Sequence, residues 1–101
     1  MRVDISTTDI PTAGSRVQIN NIENRITLII VQARPGNTGS IYIGMSDVSS
    51  TIGWELEPTD QQILDFDPQG KGASIAFSEL YADTAGGGNG NDLDWMAIFK
   101  Q

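Results

Sequence analysis

The sequence predicts an all-β protein, an antiparallel β-sandwich of jelly-roll-like type with about eight short strands. Three observations predict it. Short apolar runs with a period of two recur along the whole chain. Clusters of Gly, Pro, Asn and Asp separate them at regular spacing. No stretch carries a helical period over two turns or more, which leaves a sandwich or small barrel.

Taken in order, Arg2–Ser6 alternates, with Val3 and Ile5 on one side and Arg2, Asp4 and Ser6 on the other. It suits a short strand, or an arm able to add to a sheet edge. Thr7–Ser15, with Pro11 and Gly14, reads as loop. Arg16–Ile19 is a second short strand that turns Val17 and Ile19 inward. Arg25–Ala33, RITLIIVQA, is the strongest strand of the chain, β-branched and nearly continuous in apolar character, as in a strand covered on both faces. Strict alternation places Leu28 and Ile30 with Ile26 on one face, and Ile29 and Val31 with Thr27 on the other. The turn Arg34–Gly39 leads into Ser40–Gly44, with Ile41 and Ile43 on one face and Tyr42 on the other. A polar crossing, Met45–Thr51, runs to Gly53 and the strand Trp54–Leu56. Strands at Gln61–Phe66 and Ala73–Phe77 flank the turn Asp67–Gly72. Ser78–Ala82 is one helical turn or a strand end, and Asp83–Asn91 is a glycine-rich loop. Asp92–Lys100 closes the chain's pattern with Leu93, Trp95, Ala97 and Phe99 on one face and Asp94, Met96, Ile98 and Lys100 on the other.

At 101 residues and 39% apolar content, the chain suits one domain, 1–101, with a thin core and residues 1–9 as an N-terminal arm. Thirteen acidic against six basic residues give a net charge of −7. The cations are scattered singly, so no basic patch offers itself to a phosphate backbone, and no nucleic acid is expected as a partner. There is no cysteine and no histidine, which removes thiolate chemistry, the commonest general base and the commonest transition-metal ligand. The longest apolar run, Leu28–Val31, is far short of a bilayer span, and no membrane partner is expected. The N-terminal stretch has no apolar core of a signal peptide, so synthesis in a cytoplasm is expected.

Several patterns resemble chemistry but have a commoner structural use. Asp83, Asn89, Asn91, Asp92 and Asp94 bring oxygen ligands beside glycines, yet their spacing is not that of a calcium loop, and Asp and Asn serve turns in such loops. Gly86–Gly88 and Gly90 precede a strand, with neither the helix nor the Lys of a phosphate loop. The pairs Glu55/Glu57, Asp65/Asp67 and Asp92/Asp94 each share a strand face, as a solvated outer face also does. Serines are present without a base to activate them. The expectation is therefore a non-enzyme with no cofactor and no metal. Trp54, Trp95 and Tyr42 could stack on sugar rings; the alternation of Trp95 with Leu93 and Phe99 places it in the core and leaves Trp54 and Tyr42.

The stretch NTGSIYIGMSDVSSTIGWELEPTDQQI resembles a recurrent element of small bacteriophage virion proteins. The matching pieces are Leu28–Ala33, Asn37-Thr38-Gly39, Ile41–Gly44, Asp47–Ser50, Gly53 and Leu56–Pro58, followed by Ile75, Ser78–Asp83 and Gly86–Gly90. The resemblance spans about Arg25–Phe99 and implies a β-sandwich structural component of a tailed-phage particle, located in the virion at the capsid surface. It implies a capsid decoration (cement) protein whose partners are the major capsid protein and copies of itself, as a trimer or dimer. The alternative is a head- or tail-fibre module that binds host-surface glycans. The residues expected to contact a partner are Val3 and Ile5 on the arm, Met45 in the crossing, and Tyr42 and Trp54.

Overall fold

The computed structural model describes residues 1–85 and 90–101. Among these residues nine strands form: β1 (Val3–Ile10), β2 (Val17–Gln18), β3 (Arg25–Ala33), β4 (Ile41–Gly44), β5 (Trp54–Leu56), β6 (Gln61–Asp65), β7 (Ile75–Ala76), β8 (Tyr81–Thr84) and β9 (Asn91–Phe99). A single 3-10 turn, Phe77–Glu79, precedes β8. The strands make two antiparallel sheets. The first has the order β1-β9-β3-β6, with β7 on the end of β3; the second has the order β2-β8-β4-β5. The pairings are nested: β1 with β9, β2 with β8, β3 with β6, and β4 with β5.

The inner faces of both sheets share one apolar core. From the first sheet come Ile10, Ile26, Ile29, Val31, Leu93, Trp95, Ala97 and Phe99; from the second, Ile41, Ile43, Leu56 and Ala82. Phe77 reaches the core from the 3-10 turn and meets Trp95 edge-on, with ring centroids 4.9 Å apart, and Phe99 at 5.9 Å. Such edge-to-face pairs add to the burial of the rings themselves. The indole Nε1 of Trp95 donates to Thr8 Oγ1 at 3.0 Å, and that hydroxyl donates to the Ile19 carbonyl at 2.6 Å. The one polar atom of a core aromatic is thus satisfied, as burial demands.

Two features depart from the simple alternation. β1 continues through Thr7 to Ile10, in register with β9 from Val3↔Ile98 to Ile10↔Asn91. Thr8 breaks the apolar pattern there, but its inward hydroxyl is the one bonded to Trp95 and Ile19. The residues expected to form an N-terminal arm lie, from Val3 on, in this strand. In β3 the register against β9 shifts between Ile26 and Leu28, so that Thr27 is an extra residue, a β-bulge. The bulge moves Ile26 onto the same face as Ile29, Val31 and Ala33. Leu28 and Ile30, expected to share a face with Ile26, therefore point to the other side of the sheet.

Candidate interaction surfaces

The connection from β4 to β5 folds into a compact flap. The Val48 N–H donates to the Met45 carbonyl at 3.0 Å, and Ser49 and Ile52 exchange backbone hydrogen bonds of 2.8 and 3.2 Å. Val48 is fully buried and packs against Gly44 and Gly53. With Val48 turned in, the flanking apolar residues turn out: Met45, Ile52 and Trp54 are exposed, Trp54 at 57%. Trp54 pairs with Ile43 and by alternation shares its face, but it stands at the start of an edge strand and is exposed where Ile43 is buried. Tyr42 lies opposite Glu55 on the outer face of the same hairpin, and its hydroxyl donates to Glu55 Oε2 at 3.4 Å. Burial, and then the Glu55 carboxylate, push the Tyr42 phenol above its ordinary pKa.

A second surface spans the outer face of the first sheet. The registers align Ile5, Met96, Ile30 and Ile63 in one row across all four strands. Val3, Ile98 and Leu28 form the row beside it, which ends at Asp65 on β6. On the edge strands Ile5 is 75% and Ile63 53% exposed, while the central side chains are half-buried. The rows therefore form a trough with raised rims, and a depression of about 320 Å³ lies in it between Ile5, Ile30, Met96 and Gln61. Antiparallel sheets of a sandwich ordinarily turn polar residues outward; here four of the outward positions on β3 and β9 are Leu28, Ile30, Met96 and Ile98.

A polar row borders this trough. Asp94 accepts from Thr7 Oγ1 at 2.6 Å and from Arg34 Nε at 2.9 Å. Burial pushes its carboxyl up, but the hydrogen bonds from Thr7 and Arg34, with the charge of Arg34, outweigh this and hold it below the ordinary range. Asp92, next along the face, goes the other way: burial and the neighbouring Asp9 carboxyl raise it, against the pull of Arg34.

The remaining acidic and amide groups near the glycine-rich loop hold the backbone. Asp83, 2% exposed, accepts from the Gly14 and Thr84 amides at 3.0 and 2.8 Å. Asn91, 1% exposed, accepts from the Thr38 amide at 2.8 Å and donates to Thr84 Oγ1 at 2.7 Å, which in turn donates to the Ser40 carbonyl at 2.7 Å. Asn37 exchanges hydrogen bonds with the backbone of Asp92 at 2.9 and 2.8 Å, as a paired strand residue would. The Asn-Thr-Gly turn is thus tied to β8 and β9 by side chains. Asn89 and Gly86–Gly88 lie outside the described residues. Among the described residues no group of three or more acidic side chains is arranged to hold a metal ion. Of the carboxylate pairs, Asp67 caps its own turn, accepting from the Lys71 and Gly72 amides at 2.8 and 3.0 Å, and Asp65 accepts from the Asp67 amide at 2.9 Å.

The five residues expected to contact a partner thus fall on two surfaces. Val3 and Ile5 belong to the trough of the first sheet; Met45, Tyr42 and Trp54 belong to the β4–β5 hairpin and its flap. Sequence reasoning missed Ile52 in the flap and the trough's Leu28, Ile30, Ile63, Met96 and Ile98. The outward alternation of Met96 and Ile98 between Asp94 and Lys100 was the signal for part of it, but joining them to Ile5 and Ile63 takes the register. These positions define a β-sandwich with two apolar surfaces and polar side chains committed to holding turns. Against known proteins, the chain matches no family model, no curated protein and no solved structure. Among the described residues no helix is long and apolar enough to cross a membrane.

Proposed function

We propose that this chain is a structural protein of a bacteriophage particle, a capsid decoration protein that lies on the shell and bridges neighbouring major capsid proteins. The observation that carries the reading is the nested pairing of β1 with β9, β2 with β8, β3 with β6 and β4 with β5. We read that nesting as the wrapping of a jelly roll, an architecture frequent among viral capsid and lectin domains. The step from architecture to role is one of analogy, and the similarity of residues 25–99 to phage virion elements supports it. The flap with Met45, Ile52 and Trp54 is the surface assigned to the capsid. Tryptophan is among the residues enriched at the energetic centres of protein interfaces. Many copies on one shell would make small individual contacts strong in sum. The role is binding, with no catalytic residue assigned.

The test is co-sedimentation with shells assembled from the major capsid protein of the phage that encodes the chain. Trp54→Ala is expected to lower occupancy at limiting concentration about tenfold or more, the usual consequence of truncating a central tryptophan. Removing residues 1–9 is a poor test, because it strips the edge strand from the first sheet. A wild-type protein that stays in the supernatant at saturating shell would sink the reading.

The exposed Trp54 also favours a second reading, a fibre module that stacks on host-surface glycans. By alternation Tyr42 and Trp54 project to opposite faces of the hairpin, so on this reading Trp54 stacks alone. Sugar binding on a glycan array that disappears in Trp54→Ala would select it over decoration.

A further inference from the structure

We infer that the apolar trough on the outer face of the first sheet is a self-association surface, on which a second copy of this chain docks face to face about a two-fold axis. This goes beyond the proposed function, which concerns the flap and the shell, and needs no capsid.

The arrangement of charge commits the occupant to a second copy. Along β9 the outward positions run Asp92, Asp94, Met96, Ile98 and then Lys100, whose amide continues the ladder by donating to the Arg25 carbonyl at 2.9 Å. Asp94 and Lys100 are equally far from Ala97, on either side of the two apolar rows. A two-fold axis that crosses the strands at the level of Ala97 reverses β9 in the mate. It then lays Lys100 of one copy over Asp94 of the other, twice, with Ile98 over Met96 and Val3 over Ile5 between them, and at the exposed β6 edge it sets Asp65 over Ile63. Two-fold interfaces require such self-complementarity. Without it, two chains of charge −7 would repel one another.

Area sets the strength. Four strands about 4.8 Å apart, with rows about 6.8 Å apart, give an apolar patch of roughly 300 Å² once side-chain widths are added. A stable interface takes about 800 Å² from each partner. The polar rows must therefore join the contact as its rim, and association is weak and reversible. Stacked sheets of this kind stand about 10 Å apart; rim meets rim, Ile5 of one copy against Val3 of the other, and the half-buried central rows face one another.

Sedimentation equilibrium of the full chain tests this from about 5 µM to about 1 mM, the range in which weak interfaces populate both states. The expected result is a mass that rises from 10.9 kDa toward twice that value. Ile5→Lys and Ile63→Glu, on opposite edge strands, should each move the midpoint at least tenfold upward, the second because the axis sets residue 63 over Asp65 of the mate, whereas Ile5→Val should leave it nearly in place. Lys100→Glu should weaken association and flatten its salt dependence. Both isoleucines are exposed, so urea midpoints should stay at the wild-type value; if one charged variant unfolds, the other still gives the reading. A wild type that remains at monomer mass throughout overturns the inference, and so does a dimer indifferent to both charged variants. Loss of capsid binding in Ile5→Lys by a monomeric wild type would give the face to a different protein. A dimer that never binds shells would sustain this inference and sink decoration alone.

Discussion

Val48 occupies the space that a side chain on Gly53 would need: a Cβ at residue 53 would stand 2.7 Å from Val48 Cγ2 and 3.1 Å from the Ile43 carbonyl oxygen. Gly53 also holds a φ of 150°, which L residues rarely adopt. Gly53→Ala should therefore destabilise the fold by about 2–3 kcal/mol, from strain and overpacking together. Val48→Ala alone should cost about 1.5–3 kcal/mol. The double variant should cost less than the sum, because the smaller residue 48 relieves the clash. Urea denaturation of the four proteins measures the coupling; strict additivity would refute the contact as the cause.

Asn91 is the joint between the Asn-Thr-Gly turn and β8. Asn91→Ala removes the acceptor of the Thr38 amide and the donor to the Thr84 hydroxyl, which keeps its own bond to the Ser40 carbonyl, and should cost about 1–3 kcal/mol. Asn91→Asp keeps an acceptor and, while protonated near the acid end of the pH range, one O–H donor, so it should fall between wild type and alanine there. The check is the order of the three denaturation midpoints.

Asp67 supplies a pH dependence. The hydrogen bond from the Gly72 amide is the largest cause of its lowered pKa, and the Lys71 amide adds to it, so the carboxyl titrates below its ordinary value of 3.8. A carboxyl depressed on folding contributes stability above the unfolded-state value and loses it as pH falls through the folded value. Asp67→Asn should thus be less stable than wild type at pH 7, with the gap closing as the pH falls below about 4. A gap that stays constant across an acid series of urea midpoints would count against the cap.

Asp92 and Asp94 should titrate on opposite sides of the ordinary aspartate value, although they sit two residues apart on one strand face. Burial and Asp9 raise Asp92, so its contribution is stabilising at low pH and is lost as pH rises through its folded value. Asp94, held down by Thr7 and Arg34, behaves in the reverse sense. Carboxyl chemical shifts followed from pH 2 to pH 7 (roughly the range that brackets both) resolve the two. Asp9→Asn should bring Asp92 down and leave Asp94 unchanged.

Much of this fold is legible in the residues. Arg25–Ala33 and Trp54–Leu56 are strands with the bounds expected, and Leu93, Trp95, Ala97 and Phe99 face the core as their alternation requires. Period and turn chemistry act locally, so they can be read locally. The bulge at Thr27 could not be read that way. It is a property of the pairing with β9, and it reverses which half of RITLIIVQA faces water. The stretch Thr7–Ile10 was hidden for a related reason: Thr8 is polar by composition but inward by tertiary hydrogen bonding. The surfaces follow the same division. Val3, Ile5, Met45 and Trp54 stand out as single exposed residues, whereas the trough exists only after four strands far apart in the chain are laid in register.

The nesting of the strands also dictates how the molecule must fold. β9 lies at the centre of the first sheet, between β1 and β3, and comes after every other strand in the chain. Val3 cannot find Ile98, nor β1 any partner in its sheet, until β9 has been made. A nascent chain cut before Asn91 would hold the second sheet's strands over a half-core with no lid. Folding should therefore be a late, all-or-none closure rather than a progressive one, with the slow rates, on the order of milliseconds to seconds, that pairings distant in sequence impose. Until that closure β3 keeps one edge unpaired and its core face only partly covered, which makes the interval before β9's arrival the one in which this chain is most exposed to aggregation.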